Sequence, residues 1–206
     1  MHKVSIVLVM ALLSLALRVQ AQDAPVVEIF TGYSLMQAGF PIATDPAAGN
    51  ARRLLQGWHV SATINANRWF GFVVADFGGY FGSPTVTKIF KPANCVLCTG
   101  NVTAQLHGIS PFFLGPQFSL RRDNLSVFVH PLIGAAHVNE DLISDVTPSA
   151  FIASTTRAYM LGGGVDVSLS RHFALRGEPD SLMTQFLGRR QHNFRFSPGI
   201  VFRFGS

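Results

Sequence analysis

Apolar and polar residues alternate along most of this chain with a period of two, the spacing of a β-strand whose two faces meet different surroundings. The pattern is sharpest near the end. Phe194, Phe196, Ile200, Phe202 and Phe204 share one face with Pro198, while Arg195, Ser197, Gly199, Val201 and Arg203 fall on the other. Trp58, Val60, Ala62 and Ile64 alternate in the same way with His59, Ser61, Thr63 and Asn65. The period predicts eight strands, over residues 26–36, 57–65, 68–80, 106–121, 125–138, 159–169, 173–182 and 193–204. No helical period competes. Phe113, Phe128 and Leu132 disturb the fourth and fifth strands by falling on the face that is otherwise polar. Pro111, Pro116, Pro131, Pro179 and Pro198 lie inside predicted strands and lack a ladder donor, so bulges, boundary shifts or lost ladder bonds are expected at some of them.

The connections carry as much information as the strands. Those over 37–56, 81–105, 139–158 and 183–192 are long, and those over 66–67, 122–124 and 170–172 are short, in strict alternation. Long connections therefore gather on one rim and short turns on the other, the asymmetry of an outer-membrane barrel with external loops and periplasmic turns. A strand of about 9 to 11 residues that is aromatic outside and polar inside suits a bilayer. In hydrocarbon every backbone donor and acceptor needs a partner within the protein, so the sheet must close and the last strand must pair with the first. The expected fold is all-β: an eight-stranded antiparallel transmembrane β-barrel with both termini periplasmic. A barrel of this size is filled by its own side chains, which predicts a packed polar lumen and no wide channel.

The first residues read differently. Lys3, the apolar run from Val4 to Leu17 and Val19-Gln20-Ala21 form an export signal over residues 1–21, leaving a single barrel domain over 22–206. Fourteen apolar residues are too few to span a bilayer comfortably, and no Cys follows the site to carry a lipid. Without Lys3 and Arg18 the 16 basic residues fall to 14 against 11 acidic ones, so the high isoelectric point does not argue for nucleic acid. Eighteen Phe, 19 Gly and 13% charged residues suggest instead a β-rich chain with a large apolar surface. Cys95 and Cys98, in a segment with Pro92, Asn94 and Gly100, form a candidate loop disulfide after export, with free thiols as the alternative.

The inward faces carry Glu28, Asp76, Asp166, Glu178 and Asp180 against Arg176, Arg195 and Arg203. Such charges need partners, because an unpaired buried charge costs several kcal/mol. The turn over 170–172 sets Asp166 opposite Arg176, and closure sets Glu28 level with Arg203. These residues form either a structural ion-pair network or, if the pairs break and re-form, a gate for small ions. His59, His107, His130, His137, His172 and His192 show no metal-ligand spacing, so lumen hydrogen bonds, loops and turns account for them, and no metal or cofactor is expected. Gly162-Gly163-Gly164 has no following helix to make a phosphate loop, which leaves close barrel packing as its reading.

Four segments carry a family resemblance: Val27-Glu28-Ile29-Phe30-Thr31-Gly32-Tyr33, Asn67-Arg68-Trp69-Phe70-Gly71, Phe112-Phe113-Leu114-Gly115-Pro116-Gln117-Phe118-Ser119 and Arg171-His172-Phe173-Ala174-Leu175-Arg176. Over roughly 26–204 the chain resembles the small OmpA-like outer-membrane barrels of bacteria, although bacterial barrels commonly end on an aromatic and Gly205-Ser206 follow here. Ser197, Gly199, Phe202 and Phe204 are similar to the assembly signal read by the barrel-insertion machinery. The resemblance implies a monomeric, non-enzymatic structural barrel in the bacterial outer membrane, supporting membrane integrity or surface interaction, with at most slight ion permeability. Its partners would be outer-membrane lipid and lipopolysaccharide, the latter through Arg52, Arg53, Lys88, Lys91, Arg157, Arg189 and Arg190 unless these are merely solvated. Some such barrels hydrolyse lipid A, a role in which Ser110 would be the nucleophile, His137 the base and Glu140 its orienting acid. A soluble exported barrel of lipocalin type, binding an apolar ligand, is a further alternative and requires the opposite polarity: apolar lumen, polar exterior.

Overall fold

The computed structural model describes residues 24–40, 51–82, 85–90, 100–144, 150–186 and 189–205. The export signal and the Cys95–Cys98 segment lie outside them. Among the described residues there are nine strands: β1 (Val27–Phe40), β2 (Ala51–Asn65), β3 (Phe70–Phe81), β4 (Thr85–Phe90), β5 (Gly100–Arg122), β6 (Leu125–Ser144), β7 (Ala150–Ser168), β8 (Phe173–Phe186) and β9 (Arg189–Phe204). Their order is β3-β2-β1-β9-β8-β7-β6-β5-β4, and a β3–β5 pairing closes the ring. Both β3 and β4 pair with β5, so they are two pieces of one barrel wall, and the barrel has eight strands as the alternation predicts. Closure runs through β1 and β9, from Val27 opposite Phe204 to Gln37 opposite Phe194.

The long connections need correction. Most of residues 37–56, 81–105, 139–158 and 183–192 is strand rather than loop, and β5 alone runs 23 residues. Alternation fades in these extensions because neither face there is consistently apolar, yet ladder pairing continues without it. The short turns hold. Asn67 accepts hydrogen bonds from the backbone N–H of Trp69 and Phe70 at 2.8 and 2.9 Å, which makes the first turn Ala66–Trp69 rather than two residues. Asp123-Asn124 joins Arg122 to its partner Leu125, with Asp123 at a φ of 46°.

Each in-strand proline sits beside an interruption in the paired ladder, with the register unchanged across it. Pro116 and Pro131 share the gap between β5 and β6, Pro111 the gap between β3 and β5, Pro179 that between β7 and β8, and Pro198 that between β1 and β9. Lost ladder bonds, not bulges, absorb the missing donors. The bulges lie elsewhere. One between Val73 and Asp76 shifts the phase of β3, so that Asp76 and Tyr80 face the lumen although Phe70 and Phe72, also even-numbered, face outward.

The polarity is that of a barrel in lipid. Phe194 is 50% and Trp58 46% exposed on the outside, with Phe72, Phe77, Phe118, Ile133, Leu161 and Phe204 also outward. Neighbouring rings pair across strands, Phe77 with Phe112 at 4.8 Å and Phe173 with Phe202 at 5.4 Å between centroids. Glu28, Asp166 and Arg203 are buried. A lipocalin-type arrangement is the reverse of this one.

Candidate functional site: the lumen

The lumen has two tiers. Nearest the chain termini, Glu28 on β1 accepts from Arg203 on β9 and from Arg121 on β5, both at 3.2 Å. Arg203 also reaches Asp166 at 3.1 Å and Ser168 at 2.7 Å. Arg176 grips Asp166 through two parallel bonds at 2.7 and 2.9 Å, the fork geometry that only a guanidinium provides. Both facing pairs, Asp166 with Arg176 and Glu28 with Arg203, are direct register partners.

Further in, Arg195 is fully enclosed and joins three strands. It donates to both oxygens of Asp76 on β3 at 3.0 and 3.1 Å, to Asp180 on β8 at 2.7 Å and to Glu178 at 3.4 Å. Glu178 in turn meets Arg176 at 3.5 Å, which links the two groups of charges. His59 and His130 complete the layer at 2.9 Å from Asp76 and Asp180 respectively. A hydroxyl chain runs alongside: Tyr80 with Ser34 at 2.9 Å and Ser34 with Ser197 at 2.7 Å.

Three members of the two tiers were not placed in the ion-pair network from sequence. Arg121 stands beside the hairpin turn, where an arginine reads as an ordinary rim charge. His59 and His130 occupy inward positions that alternation does identify, but their carboxylate partners come from other strands, β3 and β8. Three-dimensional proximity also revises the metal reading. His59, Asp76 and Glu178, and separately His130, Glu178 and Asp180, bring ligand atoms within 4.8 Å of one another. The donor set could suit a cation, but Arg195 already binds all three carboxylates, and its fixed positive charge opposes a second cation there.

Phe128, one of the residues that disturbed the alternation, has a purpose in the lumen together with Phe30. The Arg176 guanidinium lies 4.2 Å from the Phe128 ring centre and 5.4 Å from that of Phe30. Phe30 packs on His59 at 5.0 Å and Phe128 on His130 at 5.5 Å. Gly162 is small for a related reason, since a Cβ there would strike the Asp180 carboxylate and lie 2.7 Å from Nε2 of His130.

Towards the loop end the lumen changes character, which corrects the expectation of a polar core throughout. Met36, Leu55, Tyr80, Ile109, Phe113, Leu132, Met160 and Leu182 form one buried apolar cluster. Most of its members lie loopward of the charged or histidine residue on their strand: Met36 beyond Glu28, Leu55 beyond His59, Tyr80 beyond Asp76, Leu132 beyond His130, Met160 beyond Asp166 and Leu182 beyond Asp180, whereas Val73 joins the cluster from the turn side of Asp76. Beyond this plug on β8 and β9, Asn193 donates to Thr184 at 3.2 Å and accepts from the Gly39 N–H at 2.9 Å.

Of the candidate hydrolase residues, Ser110 and His137 lie on the outer face. Ser110 is directly opposite His137, as a two-residue turn at Asp123-Asn124 requires. His137 Nδ1, however, hydrogen-bonds the Thr155 hydroxyl at 2.7 Å, and Glu140 is opposite Leu106 in the ladder. The loop-end cations are on strands rather than in loops, except Lys91, which lies outside the described residues. Arg157 and Arg190 are both exposed on the outer face, Arg190 opposite Gln185 on β8 and Arg157 next to Ala158, which is opposite Thr184.

No family model matches the chain, and no curated protein does. Solved structures do match. Ail, the attachment invasion locus protein of Yersinia pestis, is 17% identical with a TM-score of 0.54, over 87% of this chain and 99% of Ail. A second Ail structure holds the heparin analogue sucrose octasulfate, at 15% identity and a TM-score of 0.53 over 85% of this chain and 97% of that one. Neisserial surface protein A is 11% identical with a TM-score of 0.57, over 89% of this chain and all of that one. The outer membrane protein OprG from Pseudomonas aeruginosa is 10% identical with a TM-score of 0.50, over 91% of this chain and 99% of that one. At these identities the likeness is one of fold, the closed eight-stranded antiparallel barrel of outer-membrane proteins.

Proposed function

We propose that the chain is a structural outer-membrane barrel, exported by residues 1–21, with both termini in the periplasm and its loop end at the cell surface. The observation that carries the reading is the filled lumen: a charged layer tied together by Arg195 and, loopward of it, an apolar plug. Small ions would have to break several charge-assisted hydrogen bonds and then cross an unhydrated segment. The barrel therefore contributes to envelope integrity and surface contact rather than transport. Strand β9 carries Ser197, Gly199, Phe202 and Phe204 as its insertion signal, the two phenylalanines towards lipid and Ser197 towards the lumen. Refolded protein in a planar bilayer shows no large, stable conductance; a steady open level of porin size overturns the reading.

The surface partner is the phosphate-rich saccharide of lipopolysaccharide. Arg157 and Arg190 project from the strands on either side of β8 at the loop end, where that headgroup surrounds an outer-membrane barrel. The capture of a polysulfated sugar by Ail supports the same chemistry on this fold. Replacing Arg157 and Arg190 by Gln lowers the affinity of the folded barrel for lipopolysaccharide micelles by about fivefold per guanidinium at low salt. Equal binding by wild type and the double variant across a salt titration refutes the assignment.

A further inference from the structure

The three short turns at the terminal end all carry an exposed arginine: Arg68, Arg122 and Arg171. Beside the first two the outer wall is indented. A groove of about 310 Å³ is lined by Trp69, Phe118, Leu120, Val127 and Val129, on the side of the barrel that faces lipid. It forms because β3 starts only at Phe70, opposite Phe118, while the β5–β6 hairpin continues to Arg122. The Trp69 indole, held by the turn's hydrogen bond from Ser119 N–H to Trp69 C=O at 2.8 Å, stands against the bare flank of that hairpin.

Its mouth is cationic. The Arg68 guanidinium stacks over the Trp69 ring at 4.5 Å from the centre. Arg122 is on the same outer face of β5 as Phe118 and Leu120, about 7 Å nearer the rim than Leu120. Asp123 is the one acid among the turn residues 66–69 and 123–124, so with Arg68 and Arg122 the formal charge at the mouth is positive.

We infer that this groove is a binding site for an anionic phospholipid of the leaflet at the terminal rim, with an acyl chain along Trp69, Phe118 and Leu120 and the phosphate between Arg68 and Arg122. The inference rests on the membrane reading above. Two features select this occupant. The apolar walls face hydrocarbon, so an acyl chain is already adjacent. The exposed guanidiniums of Arg68 and Arg122, at the two turns beside the groove, are at the rim where phosphate groups sit and offer charge-assisted hydrogen bonds that a zwitterionic neighbour partly satisfies for itself. Lipopolysaccharide, by contrast, belongs to the opposite rim in the proposed orientation.

Trp58→Phe leaves Trp69 as the sole tryptophan, so its fluorescence reports the groove. The full barrel is refolded into phosphatidylcholine vesicles containing a minor fraction of lipid brominated on its acyl chains. Brominated phosphatidylglycerol quenches Trp69 more than the same fraction of brominated phosphatidylcholine, corresponding to about fivefold local enrichment. Adding Arg68→Gln and Arg122→Gln makes the two lipids equal. Equal quenching before those substitutions, an excess that survives them, or reversal by lipopolysaccharide but not by unbrominated phosphatidylglycerol overturns the proposal. Heat-modifiable gel migration of each sample shows that the barrel is inserted, so a missing lipid preference in a folded barrel counts against this site alone.

Discussion

Replacing Arg195 with methionine destabilises the barrel by about 3–5 kcal/mol, the cost of removing one partner from a buried ionic group. The side chain is 0% exposed, and its loss leaves Asp76, Asp180 and Glu178 facing one another with, among the described residues, only the Arg176 guanidinium in contact with any of them. Methionine keeps most of the volume, so cavity formation does not account for the effect. Urea titration of the protein folded in phospholipid vesicles, read by gel migration, measures it. Adding Asp76→Asn and Asp180→Asn to the methionine variant removes the stranded charges and recovers part of the loss. A single variant as stable as wild type would show that Arg195 is not the keystone of the lumen.

The second large effect comes from the outer wall. Val165→Arg places a guanidinium near the middle of the apolar outward run from Tyr159 on β7 to Leu169 just past its end, and costs about 2–4 kcal/mol in a bilayer. The lumen does not contribute, because Val165 points away from it and its neighbours Asp166 and Gly164 are the buried ones. A soluble barrel would tolerate the same change within about 0.5 kcal/mol, since an exposed arginine is well hydrated. The same vesicle titration distinguishes the two, and a neutral outcome would remove the membrane assignment together with the lipid groove.

The two variants separate what was legible in the residues from what was not. Period-two alternation marks the inward positions of Glu28, Asp166, Arg176, Arg195 and Arg203 directly, because a strand has only two faces and only one can accept charge. Counting back from a tight turn pairs Asp166 with Arg176, and closure pairs Glu28 with Arg203. Arg195 is different. Its register partners are Asp180 and Met36, yet its guanidinium also spans the lumen to Asp76, 119 residues away, and no local count reports that distance. The same is true of His59 and Asp76, whose meeting depends on a bulge in β3 that reverses which parity faces inward.

Eight antiparallel strands, an apolar outside and a charged interior follow from the sequence alone, since alternation and turn spacing are local properties and closure is demanded by backbone hydrogen bonding in hydrocarbon. Tertiary structure decided the rest. Side chains from all around the ring meet only at the axis, so it is the closed cylinder that builds the Arg195 layer, places an apolar plug loopward of it, brings Arg176 onto the rings of Phe30 and Phe128, and leaves a groove where β3 stops short of its neighbour.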